Sequence, residues 1–299
     1  MRTFIIIIAL LWVHGPASAQ SKIAGEPIDW AKAQPHWVAP FEPFRIIGNL
    51  YYVGTEGLAV YLVTGEEGHA LIDGGLPGHE QVIIDNVTTL GFDVKDVKYL
   101  LNTHAHFDHS DGLAALKEAS GAKLIASKAD VSALEGGFYL GYEDDPDLAA
   151  PPVLVDHQIL VDSIDRSAII RNVVPVWPHL TPGHSRGCTS WKLTVEEAGE
   201  EYDVLIFCSA TVAANRLVPE QYEGIVDDYR YTFVKTKDWA PDIFLANHPE
   251  VFHMKQTREK QKAGDTLAFV NRGAFQKYIQ AKERAFEEAL AEHADAVID

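Results

Sequence analysis

The chain has 299 residues, 47% of them hydrophobic and 23% charged, which is ordinary for a globular protein and enough for a sizeable core. It carries 43 acidic against 25 basic side chains, a formal charge of −18. Nucleic acid is bound mainly by Lys and Arg clusters, and the few basic runs, such as 255–262, are interleaved with polar and acidic residues, so no nucleic-acid partner is expected.

Residues 1–19 read as an export signal: Arg2 gives a positive start, 4–13 is an apolar run, and Ala17-Ser18-Ala19 is a small-x-small cleavage site before Gln20. The apolar run is shorter than the roughly 20 residues that cross a membrane's hydrocarbon core. No other stretch is long and apolar enough, and no cysteine near the cleavage site offers a point for lipid attachment. The expected mature chain is one domain, 20–299, monomeric, free of the membrane and released into a bacterial periplasm.

After a Pro-rich stretch, 44–53, 59–64 and 68–73 are short apolar segments separated by Gly or acidic turns, and are predicted strands. Asp73-Gly74-Gly75 ends that pattern, and 79–90 carries apolar residues at helical spacing. A buried strand at 97–102 leads into a histidine cluster, then a helix at 113–118 and a strand at 123–126. Residues 137–156 mix Gly, Pro, Asp and aromatics and read as an irregular loop. Strands are expected at 158–163, 167–176 and 241–246, and a long amphipathic helix at 267–294. Between these, Cys188 opens one alternating run and Cys208 closes another, with a turn at 196–201. A hairpin centred on Ala198 sets Cys188 opposite Cys208, which predicts a cross-strand disulfide in an exported chain; two buried thiols are the alternative. Strands and helices in two stretches, each bringing ligand-type residues to strand ends, point to an α/β fold, an αββα sandwich of two mixed sheets flanked by helices.

The chemistry concentrates at 102–111, Asn-Thr-His-Ala-His-Phe-Asp-His-Ser-Asp. On an extended strand end, residues two apart point the same way, so His104 and His106 can share an ion. The chain then turns into a helix, which lets Asp108 and His109 face a second. Imidazole nitrogen and carboxylate oxygen without thiolate suit a catalytic zinc site that keeps a position open for water. Two ions need more ligands than this run holds. His184, in Thr-Pro-Gly-His-Ser, and His248, in Leu-Ala-Asn-His-Pro, both follow predicted strands and are the candidates to complete the site. The other histidines, His69, His79, His157 and His253 among them, have no such setting and are read as non-ligands.

His-x-His-x-Asp-His after a buried strand, preceded by Leu-Ile-Asp-Gly-Gly at 71–75 and followed by Pro-Gly-His at 182–184, resembles the metallo-β-lactamase superfamily. Further segments, such as 49–54, 101–104 and 187–191, resemble its third β-lactamase subclass. The resemblance implies one zinc on His104, His106 and His184 and a second on Asp108, His109 and His248. It implies that Asp108 also orients the nucleophile and that Asp73 supports a ligand imidazole from behind. Many superfamily hydrolases place a bridging aspartate where this chain has Phe207-Cys208-Ser209-Ala210-Thr211; the subclass has a serine there, matched by Ser209. Ser209 and Thr211 are then expected to hold the substrate carboxylate, while Arg186 stands where small residues or Pro are usual. The implied activity is β-lactam hydrolysis, conferring antibiotic resistance, with a hydroxide formed from water whose pKa zinc lowers toward about 7. The rival readings are another hydrolase of the same fold, a lactonase or a glyoxalase II-like thioesterase, and a non-catalytic zinc-binding protein.

Overall fold

The computed structural model describes residues 29–145, 148–160 and 173–298. The export signal and parts of the strands expected at 158–163 and 167–176 lie outside the described residues. Gly48 decides how the first sheet begins. It adopts φ 51°, in the left-handed region, and a Cβ there would meet Glu196 O at 2.8 Å. The segment 44–53 is therefore a hairpin of β1 (Phe44–Ile47) and β2 (Leu50–Tyr52), not one strand. β3 (Tyr61–Gly65) and β4 (Gly68–Ile72) continue antiparallel, and β5 (Val97–Leu101), β6 (Lys123–Ser127) and β7 (His157–Ile159) add in parallel.

Alternation along these strands sorts their side chains between two cores. Val60, Leu62, Leu71, Leu100 and Leu124 pack with Ile83 and Val87 of helix Glu80–Thr89 and with Leu113 and Leu116 of helix Leu113–Ser120. Tyr61, Val63, Ile72 and Leu101 instead join a core shared with the second sheet.

That second sheet runs β11-β10-β9-β8, with β8 at Val176–Leu180, β9 at Thr189–Glu197, β10 at Glu200–Phe207 and β11 at Ile243–Ala246. Trp191, Leu193, Val204 and Ile206 bring it onto the first sheet, and Trp191 Nε1 donates to Asn102 O at 3.3 Å. Phe207 and Phe244 pack with Phe275 of the terminal helix Ala274–Ile298, whose Phe286 meets Tyr229 and Phe233 of helix Ile225–Thr236. Neither helix Ile225–Thr236 nor helix Met254–Lys262 was expected from the sequence.

The β9–β10 turn has two residues, Ala198 and Gly199, both at positive φ, so Glu197 pairs with Glu200 and Trp191 with Ile206. Continued, that register sets Cys208 across from Thr189, one residue off the expected pairing. The disulfide forms diagonally beyond the last paired residues, with Cys188 and Cys208 Cα atoms 5.8 Å apart. The terminal helix starts at Ala274 rather than 267 because Asn271 is used elsewhere. Its side chain accepts from Phe244 N at 2.7 Å and donates to Phe244 O at 3.0 Å, occupying the free edge of β11. Among the described residues no helix is long and apolar enough to cross a membrane.

Candidate metal centre

Each candidate ligand follows the end of a strand. β5 stops at Leu101, the chain bends at Thr103 and Ala105 on either side of His104, and the short helix Phe107–Ser110 begins with His106 O accepting from His109 N and Ser110 N, both at 2.9 Å. That turn brings Asp108 and His109 inward, both buried. β8 delivers His184 through a tight turn at Gly183, which takes φ 131° against the Tyr229 ring; a Cβ there would lie 2.8 Å from that ring. β11 delivers His248 just before Pro249.

The six side chains form two adjoining groups. Donor atoms of His104, His106 and His184 all lie within 4.8 Å of one another, as do those of His104, Asp108 and His109. Asp108 Oδ2 is 3.1 Å from His109 Nε2 and 3.3 Å from His248 Nε2, and the two Nε2 atoms are themselves 3.3 Å apart. Three donor atoms converging on one point, two of them imidazole nitrogens, is the arrangement a cation relieves. His104 Nε2 is buried with no hydrogen-bond partner, as befits a nitrogen reserved for a Lewis acid.

The surroundings keep His104, His106 and His184 in the neutral form that binds metal, whereas at His248 burial is outweighed by the hydrogen bond and charge of Asp108, which raise the pKa above its usual value. Burial, then repulsion from neighbouring histidines, pushes the pKa of His104 and His106 well below the usual value; burial brings His184 down to about 4. Burial would raise Asp108, but the charges and hydrogen bonds of His109 and His248 outweigh it and hold the carboxyl well below its usual range.

Ring orientation is set from behind. His184 Nδ1 lies 2.8 Å from Thr211 O and 3.1 Å from Thr211 Oγ1, so it donates there and leaves Nε2 free. The Tyr229 hydroxyl donates to the same Thr211 O at 2.7 Å, and Asn215 Nδ2 donates to His184 O and to Tyr229 Oη at 2.8 and 3.1 Å. Asp73 Oδ2 stands 3.6 Å from His109 Nδ1 and accepts from Thr103 Oγ1, while Oδ1 accepts from Thr103 N, both at 2.7 Å. Burial raises the Asp73 carboxyl to about 6 against the opposing pull of His109.

Ser209 Oγ is 3.1 Å from Thr211 Oγ1, so Thr211 sits between Ser209 and His184. Arg186 turns away, donating to Glu223 O at 2.8 Å and covering the Tyr222 ring. The disulfide lies against the first group, Cys208 Sγ 3.6 Å from His104 Nδ1.

The model of the metallo-β-lactamase superfamily matches residues 54–194. The chain superposes on BJP-1, a subclass B3 metallo-β-lactamase of Bradyrhizobium japonicum, with a TM-score of 0.82 and 43% identity, covering 89% of this chain and 99% of that one. The chain belongs to the metallo-β-lactamase superfamily. Curated relatives align only in part. The uncharacterized protein YobT of Bacillus subtilis is 32% identical over 44% of this chain and 54% of its own length. The N-acyl homoserine lactonase AttM of Agrobacterium fabrum is 30% identical over 20% of this chain and 31% of its own length. The chain thus spans about half or less of the curated relatives it matches.

As a member of that superfamily the protein carries a His-rich candidate metal centre, and a structural neighbour of 43% identity is a metallo-β-lactamase. All six predicted ligands meet there, and His69, His79, His157 and His253 stay out of both groups. Sequence reasoning missed several neighbours. Tyr139 stacks on His106 with ring centroids 4.2 Å apart, and Trp37 lies 5.7 Å from His248. Both come from stretches without periodicity, where only a lone aromatic among turn residues could have drawn notice. Tyr229 and Asn215 carried no local signal.

Proposed function

We propose that this metallo-β-lactamase is a zinc-dependent β-lactamase that hydrolyses the β-lactam amide bond, acts in the periplasm after export, and confers antibiotic resistance. The observation that carries this reading is the 43% identity with a subclass B3 metallo-β-lactamase over 99% of that chain. Two zinc ions are proposed, the first held by His104, His106 and His184 and the second by Asp108, His109 and His248. Zinc there supplies a Lewis acid and makes water acidic enough to ionise near neutral pH.

The chain's own residues do the rest. Asp108, ionised and buried, is placed to take a hydrogen bond from the attacking water and aim it at the lactam carbonyl. The Ser209 hydroxyl is proposed to hold the substrate carboxylate, with Thr211 behind it keeping both Ser209 and His184 in place. Tyr139 and Trp37, against His106 and His248, give the site apolar walls that limit water.

Hydrolysis of nitrocefin and imipenem, measured with and without chelator, tests the reading. Turnover lost to chelator, restored by zinc and reduced at least a hundredfold in His184→Ala is the expected result; turnover indifferent to chelator overturns it. A lactone hydrolase is the second reading, favoured by the partial match to AttM. An acyl-homoserine lactone turned over faster than either β-lactam would establish it, and no turnover of any of these would point to a zinc-binding protein without catalysis.

A further inference from the structure

We propose that Asp130 is a positioning residue for the first metal group, one carboxylate joining the two loops that carry its three histidines. The proposal rests on the reading that His104, His106 and His184 bind zinc. Asp130 ends the 3₁₀ turn Lys128–Asp130 after β6 and is only 3% exposed. Its Oδ2 accepts from the backbone N–H of Ala105, between His104 and His106, at 3.0 Å. The backbone of Gly187, three residues past His184, packs directly against the same carboxylate, its N–H facing it. The Ser185 hydroxyl, buried and with no partner in hydrogen-bond geometry, faces it too.

Gly187 is fitted to this contact. A Cβ at that position would lie 2.2 Å from the Asp130 carboxyl carbon and 2.3 and 2.6 Å from its oxygens, so only glycine lets the second loop close on the carboxylate. Among the described residues no Lys or Arg pairs with Asp130, and burial lifts its pKa to about 6. A buried carboxylate without a cation is costly, and here it is opposed mainly by donors from the two histidine loops. Those loops come from different sheets: 102–106 follows β5, and 181–187 follows β8. Asp130 belongs to neither and ties one to the other at the backbone, so it sets the spacing of the imidazoles without touching them.

The test is a competition titration of the zinc-loaded enzyme with a chromophoric chelator, in wild type, His184→Ala, His248→Ala and Asp130→Asn. Groups behind metal ligands are commonly worth about 10–100-fold in metal affinity. Asp130→Asn is expected to weaken the step that His184→Ala abolishes by about tenfold or more, and to move the step that His248→Ala abolishes by less than about threefold. A general loss of structure would weaken both steps alike, and that result overturns the proposal. So does an unchanged first step in Asp130→Asn where His184→Ala abolishes it. If His184→Ala itself leaves both steps unchanged, the ligand assignment fails, and the proposal with it. Should Asp130→Asn not fold, Gly187→Ala drives a methyl into the same carboxylate from the other loop and is held to the same outcomes.

Discussion

Replacing Asp73 with Asn should move stability and metal affinity in opposite directions. The Asp73 carboxyl is buried and its pKa rises from 3.8 to about 6, chiefly through burial. That difference corresponds to about 3 kcal/mol against the ionised form in the folded protein at neutral pH. The sign follows from linkage: with the folded value above the unfolded one, the favourable share is present below pH 3.8 and is lost as pH rises through about 6. Asn removes the charge and keeps an oxygen for Thr103 N, but presents an amide where Thr103 Oγ1 donated, a loss of about 1–2 kcal/mol. Metal-free Asp73→Asn should therefore be more stable than wild type by about 1–2 kcal/mol at pH 7, an advantage that disappears by about pH 4. Zinc affinity should meanwhile fall by about tenfold or more, because His109 loses the carboxylate 3.6 Å from its Nδ1. Urea unfolding of the chelator-stripped proteins at pH 4 and 7 measures the first effect, and chelator competition the second. A variant less stable than wild type at pH 7, or an advantage undiminished at pH 4, refutes the electrostatic argument; unchanged zinc affinity refutes the role given to Asp73.

Glu197 accepts from both Arg45 guanidinium nitrogens at 2.8 and 3.1 Å and from Gly48 N at 2.9 Å, bonds that hold its pKa below the usual value. Its contribution is present above the unfolded pKa of 4.5 and lost as pH falls, so Glu197→Gln should cost about 1 kcal/mol at pH 7, screened by solvent, and nothing near pH 2. Equal losses at both pH values would refute this. The Tyr61 hydroxyl, buried in the shared core, donates to Ala246 O across the two sheets. Tyr61→Phe should lower stability by about 1 kcal/mol with an unchanged urea m-value, and an unaltered midpoint would remove the bond from the list of contributors.

The parts of the fold that could be read from sequence were those governed by near neighbours. The first-sheet strands and helix Glu80–Thr89 follow hydrophobic periodicity, and four of the six proposed ligands lie within 104–109. His184 and His248 were found by asking which histidines follow a strand. The errors arise where a single backbone detail outranks composition. Gly48 folds one expected strand into two, and a two-residue turn shifts the Cys188 register by one. Asn271 serves β11 instead of extending the terminal helix. Asp130, Asn215 and Tyr229 were invisible because each acts on a residue remote in sequence: Asp130 meets Ala105 from 25 positions away, and Asn215 meets His184 from 31. No local window contains both halves of such a contact.

The site's division between the sheets bears on the order in which the protein is made. His109 and His248 meet across 139 residues, and neither the third histidine of the first group nor the last candidate ligand of the second is in place until the second sheet has docked. A nascent chain ending before β8 presents His104, His106, Asp108 and His109 without their partners, a weak and open chelator. Closing so long a loop is slow and entropically costly, so tight metal capture belongs to the last stage of folding. Metal supplied before that stage would meet an incomplete cage, and metal supplied after it would fasten the two sheets together. The compartment where folding finishes would then decide which metal the site takes.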